Sequence, residues 1–243
     1  MTTQTAPFAA LCQPCYNNLL PLIPVRGVRS LLDFGNLFDP SRLVTMAILI
    51  FTSMPIHEWA HAFVAYKLGD DTVALRGRLT LNPLAHLDPV GTIGLLIAGY
   101  GWGKPVPVNP YRLRGNMRFS WALVSGAGPF SNFVLAMLGA IPFRMGWLGA
   151  NLSRGFSLES ILLQFVLINL GLMVFNLVPF PPLDGSRILA WLLPPRWASA
   201  MDRLEQIGGF GLLMVLFLFS RLGLLSRIIN PVFSFLVRAL FMY

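Results

Sequence analysis

Long apolar runs alternate with short polar stretches along most of this chain. Residues 43–66 form the first run that reaches the length of about 20 residues needed for a helix to cross a bilayer. Residues 119–143 form a second run, 161–178 a third and 207–219 a fourth. The last stretch, 222–243, is interrupted by Arg227, Pro231 and Arg238, and suits either a fifth span or a helix lying in the interface. Residues 1–42 place Pro21, Pro24, Gly27 and Pro40 among short apolar pieces and read as an interfacial segment. The pattern predicts an all-α polytopic membrane protein of about 4–6 transmembrane helices. Its core would occupy 43–220, followed by a C-terminal span or interfacial helix over 221–243.

Residues 67–118 break this rhythm. Arg78-Leu79-Thr80-Leu81 and Pro105-Val106-Pro107-Val108 alternate like strands, and a glycine-rich apolar patch between Gly91 and Gly103 is too short to cross. Non-helical backbone at membrane depth needs protein or a water cavity to satisfy its polar groups. We therefore expect a re-entrant, β-hairpin-like loop at residues 72–110 that covers a functional site; an ordinary cytoplasmic loop is the plainer alternative.

Composition agrees with a membrane protein. Hydrophobic residues make up 55% of the 243 positions and charged residues 12%, about half the share of a soluble domain. The net charge of +8 is spread over loops without a basic run, which excludes nucleic acid as the reason for it. It reads instead as orientation. Segment 67–118 holds seven basic residues, namely Lys67, Arg76, Arg78, Lys104, Arg112, Arg114 and Arg118, whereas 144–157 holds only Arg144 and Arg154. Segments 67–118 and 179–206 are thus expected on the cytoplasmic side. Cys12 and Cys15 form a Cys-x-x-Cys pair without the second pair or βαβ context that would make it a metal or redox motif. Residues 1–16 lack a basic n-region followed by an unbroken apolar stretch, so no secretory signal is expected there.

The candidate chemistry sits near the end of the first run, in His57-Glu58-Trp59-Ala60-His61. Residues four apart on a helix share a face, about 5–6 Å apart at Cβ. Two imidazoles so placed can share one zinc ion, with Glu58 beside them as general base. Three ionisable groups within five residues of a spanning helix are expensive without a function. A catalytic zinc usually takes a third protein ligand. Asp184, in Asn176-Leu-Val-Pro-Phe-Pro-Pro-Leu-Asp-Gly185, lies just after the third run and is the candidate. The other reading of Asp184 is a cap on the helix that begins near Ser186. His86, the third histidine, suits either a hydrogen bond within its loop or a displaceable fourth ligand. Lys104, Val106 and Val108 could pair with an extended substrate by strand addition, or serve as scaffold. Gly126, Gly128 and Pro129 read as a close helix-packing site.

These motifs together resemble the site-2 protease family of intramembrane zinc metalloproteases, in its compact, PDZ-free bacterial branch. The resemblance rests on HEWAH, on the Asn176–Gly185 segment, on Leu79–Gly91 and Gly103–Asn109, and on Ser125-Gly-Ala-Gly-Pro-Phe-Ser-Asn132. It implies His57, His61 and Asp184 as zinc ligands, Glu58 as catalytic base, and Asn176 near the metal to help hold the substrate carbonyl. It further implies one zinc per chain, a transmembrane protein or peptide as substrate, and a multi-pass location in a bacterial cell (inner) membrane with the site toward the cytoplasm. Ser186 stands where many relatives have a second glycine. Two rival classes carry the same His/Asp cluster: a metal-ion transporter, and a non-proteolytic relative acting as a scaffold. Glu58 beside His57 argues against the transporter, which needs no aimed base, and the intact set of His57, Glu58, His61 and Asp184 argues against the scaffold.

Overall fold

A computed structural model describes residues 40–98, 102–149, 157–194, 196, 198, 214, 218–219 and 222–241 of the chain. The expected N-terminal interfacial segment, with Cys12 and Cys15, and most of the fourth apolar run lie outside the described residues. The described residues are helical and contain no strand.

Helix α1 (Pro40–Ile48) runs through a π-helical turn (Leu49–Ser53) into α2 (Met54–Lys67). Together they supply a continuous span, Leu43–Lys67. The widened turn falls directly before Pro55, which has no N–H to give to the helical ladder. Two further helices are long and apolar enough to cross a membrane: α6 (Met117–Arg144) and α7 (Leu158–Asn176). These three spans coincide with the first three apolar runs of the sequence. Helix α6 begins where the Asn116 side chain accepts from the Phe119 N–H. Helix α7 opens on a capping box between Ser157 and Ser160.

Helix α6 is the centre of the bundle, with α2, α7 and the short α8 (Asp184–Leu192) all packed on it. On one side Ala136 and Ala140 of α6 meet Leu163, Val166 and Leu170 of α7. Val237, Leu240 and Phe241 of the last helix, α9 (Leu224–Phe241), complete this cluster. On the other side Ala62 and Ala65 of α2 pack with Val73, Leu113 and Val124. Alanines at these contacts let the helix axes approach closely, the usual solution where lipid removes any hydrophobic drive between helices. The Arg118 side chain at the start of α6 donates to the Ala190 and Leu193 carbonyls, fastening the end of α8.

The segment expected as a hairpin differs from that expectation. It holds three short helices, α3 (Thr72–Leu75), α4 (Pro83–His86) and α5 (Pro89–Ala98). Its only β-type pairing among the described residues is an isolated antiparallel bridge between Leu87 and Gly103. The reason is local. Pro105, Pro107 and Pro110 remove the N–H groups that a ladder through Val106 and Val108 would use. Val106 and Val108 instead turn their side chains onto the cluster around Ala62 and Val73.

A fully buried carboxylate ties this loop to α2. Asp70 accepts from the Thr72 N–H at 3.0 Å and the Asn109 N–H at 2.6 Å. Replacing it with alanine leaves two backbone donors without their charged acceptor. We expect Asp70→Ala to destabilise the fold by roughly 2 kcal/mol, read as a lowered thermal midpoint in detergent.

Candidate metal centre

The α2 helix turns His57 and His61 to the same side, as four-residue spacing requires, and that side faces α6. Both are buried, at 6% and 7% exposure. Each ring is held at Nδ1 by an acceptor on α6. The Asn132 Oδ1 lies 2.5 Å from His57 Nδ1, and the Val124 carbonyl lies 2.7 Å from His61 Nδ1. Such acceptors fix the proton on Nδ1 and leave the Nε2 lone pair free.

Those two Nε2 atoms point at one another across 3.0 Å. The carboxylate Oδ2 of Asp184 lies 3.3 Å from the first and 3.4 Å from the second. Asp184 begins α8, whose N-cap position, Leu183, makes no side-chain cap bond. The carboxylate therefore serves the histidines and not the helix end. Gly185 makes this placement possible: a Cβ there would stand 2.2 Å from the Leu177 carbonyl oxygen. Only a residue without a side chain lets the start of α8 lie so close behind the end of α7.

Three acceptor atoms thus converge with no donor among them. A proton could relieve one edge of this triangle but not all three. A single cation at its centre relieves them together. With metal–nitrogen and metal–oxygen bonds of about 2.0–2.1 Å, two ligands of a tetrahedral zinc lie roughly 3.3–3.4 Å apart. The imidazole–carboxylate separations of 3.3 and 3.4 Å match that edge, and the two imidazole nitrogens, 3.0 Å apart, lie slightly inside it. Among the described residues, His57, His61 and Asp184 are the group of His, Cys, Asp and Glu side chains that can hold a metal.

The remaining candidates divide. Glu58 is half-buried on α2 next to His57. Asn176 ends α7, and its side-chain amide donates to the Leu172 carbonyl at 2.9 Å, leaving its second hydrogen for another acceptor. His86 is fully buried but stands apart from the metal-holding group, with its Nε2 2.8 Å from the Thr80 carbonyl. Lys104 is exposed, and its backbone N–H donates to the His86 carbonyl. Two residues were not singled out from sequence. Asn132 enters the sequence reading only as the end of the Ser125–Asn132 motif, and Asn169 lies within the apolar run 161–178. Gly128 also gains a specific role, because a Cβ there would stand 2.3 Å from His61 Nε2 and 2.6 Å from His57 Cε1.

Two buried imidazoles and a half-buried carboxylate, carried on helices beside three that are long and apolar enough to cross a membrane, form a group able to hold a metal, as in a membrane metalloprotein. No family model matches the chain, and no solved structure matches it. Among curated proteins it is similar to several that carry the name "Putative zinc metalloprotease", including YwhC of Bacillus subtilis and Rip2 of Mycobacterium tuberculosis. Identity to YwhC is 46% over 175 residues, covering 71% of this chain and 79% of that protein. Identity to Rip2 is 33% over 218 residues, covering 85% of this chain and 79% of that protein. The chain belongs to the site-2 protease family.

Proposed function

We propose that this protein is an intramembrane zinc metalloendopeptidase that hydrolyses peptide bonds in or beside the transmembrane segments of other membrane proteins. One observation carries the reading: His57 Nε2, His61 Nε2 and Asp184 Oδ2 converge at the spacing of a zinc coordination edge inside a spanning-helix bundle. These three residues would hold the ion. When bound, zinc supplies Lewis-acid polarisation of the scissile carbonyl and acidifies water toward neutrality.

The chain's own residues do the rest. The Glu58 carboxylate takes a proton from the attacking water as its oxygen bonds to the carbonyl carbon. It then gives that proton to the departing nitrogen as the C–N bond breaks. The free hydrogen of the Asn176 amide is suited to the carbonyl oxygen as negative charge gathers on it. A helical substrate has its carbonyls hydrogen-bonded internally, so it must unwind before the bond is attacked. The basic residues of 67–118 favour a cytoplasmic-facing site in a multi-pass protein of the bacterial cell membrane.

The test is metal content against cleavage. Purified in detergent, the protein should bind one equivalent of zinc, cleave a transmembrane model substrate, and lose both properties to a chelator. Asp184→Ala removes a charged ligand and is expected to cut zinc occupancy severely at micromolar metal, measured by atomic emission. Full occupancy in Asp184→Ala would remove it from the ligand set. Zinc binding without any cleavage would favour transport or scaffolding over proteolysis.

A further inference from the structure

The His57–His61–Asp184 group is backed by a polar chain that crosses three helices and has a fixed direction. It begins at a backbone carbonyl, Phe165 O on α7, which can only accept. Asn169 Nδ2 donates to it at 2.8 Å, so the Asn169 amide can stand in one orientation only. That orientation turns Oδ1 toward α6, where Asn132 Nδ2 donates to it at 2.8 Å. The second asparagine is thereby fixed as well, and its Oδ1 faces His57 Nδ1 at 2.5 Å. The Ser53 carbonyl, 3.4 Å from Asn132 Nδ2, favours the same orientation at the limit of hydrogen-bond distance. Asn132 and Asn169 are both 0% exposed, so no solvent competes for these groups.

We propose that Asn169, which touches neither metal ligand nor substrate, is a positioning residue: it fixes the Asn132 amide, which fixes His57 as the Nδ1–H tautomer with Nε2 free for the metal. An asparagine amide is nearly symmetrical in shape but opposite in polarity at its two ends. If the Asn132 amide were reversed, its NH2 group would meet His57 Nδ1. The ring would then take its proton on Nε2, which is the atom that must bind the ion. A buried asparagine pair in membrane helices is usually read as glue between helices. Here the same bonds carry a polarity from the α7 backbone to the metal site. The relay rests on the zinc reading given above.

The direction of the relay gives it a test that packing alone would not pass. A carboxylate at 132 presents an acceptor whichever way it turns, so it needs nothing to orient it. The variants are Asn169→Leu, Asn132→Asp, and the two combined, each as full-length protein in detergent. Zinc affinity is measured by chelator competition. Ring tautomers are read by 15N resonances of labelled histidine, where the chain's three histidines keep the spectrum simple.

Asn169→Leu is expected to weaken zinc binding about 10–100-fold, the usual effect of losing a partner behind a metal ligand, and to lower the His57 Nδ1–H population. Asn132→Asp alone sets a carboxylate oxygen against the fixed Asn169 Oδ1 and should bind zinc more weakly than the combined variant, in which that oxygen is gone. The combined variant should return to within about threefold of wild type, since carboxylate–histidine–zinc arrangements are self-sufficient. The proposal is overturned if Asn169→Leu binds zinc normally, or if the combined variant stays as weak as Asn169→Leu alone. Should leucine prevent folding, Asn169→Ala with and without Asn132→Asp makes the same comparison. A wild-type protein that binds no zinc would sink the functional reading itself, a result distinct from a failed rescue.

Discussion

Glu58→Gln is expected to lower cleavage of a transmembrane substrate about 10²–10⁴-fold while leaving one equivalent of zinc bound. The substitution keeps the size and planarity of the side chain. It removes the ability to take a proton, and with it both transfers assigned to this residue. Because Glu58 lies outside the triangle of donor atoms, zinc occupancy should not change. The pairing of lost cleavage with retained metal separates a base from a ligand, which would lose both. Cleavage at the wild-type rate in Glu58→Gln would refute the proposed mechanism, whatever the zinc content.

Gly128→Ala is the second large effect. Helix α6 passes the metal-site histidines so closely that an added methyl would stand 2.3 Å from His61 Nε2 and 2.5 Å from its Cε1. Carbon-to-heavy-atom contacts settle near 3.5 Å, so the helices would have to part by roughly 1 Å. Neither side can yield cheaply. The rings are held at Nδ1 from α6 itself, by Asn132 and the Val124 carbonyl. A displacement of about that size in a catalytic arrangement is worth on the order of 10²-fold in rate. We expect a loss of at least that size in cleavage, together with weaker zinc binding in chelator competition. Gly126→Ala is the matched control. A Cβ at 126 would meet only Ile188 Cδ1, at an ordinary 3.8 Å. Cleavage should stay near wild type there, and equal losses in both variants would show that general loosening of α6, not contact with the rings, is responsible.

Much of the site was legible because it is written locally. A spacing of four on a helix places two imidazoles on one face whatever surrounds them, so His57 and His61 follow from their positions alone. The three spans were legible for a similar reason, since crossing a bilayer demands a long apolar run. The loop at 72–110 was less legible. Alternating residues around Val106 and Val108 carry a strand-like period, but hydropathy does not register the missing N–H groups of the prolines between them. Asp184 stayed ambiguous between ligand and cap because both uses put a carboxylate at the start of a helix.

What the sequence by itself determined is the pair of histidines with Glu58 beside it, and the apolar setting that makes such a group expensive without a partner. The tertiary structure decided the rest. It set the Asp184 carboxylate, at the start of α8, within 3.4 Å of both α2 imidazoles, made Gly128 distinct from Gly126, and linked Asn132 to His57 and Asn169. Asn132 meets partners 75 and 37 positions away, at His57 and Asn169. No local period encodes such separations. They arise only when packed helices bring side chains together, and in a dry interior each polar group must then find its partner.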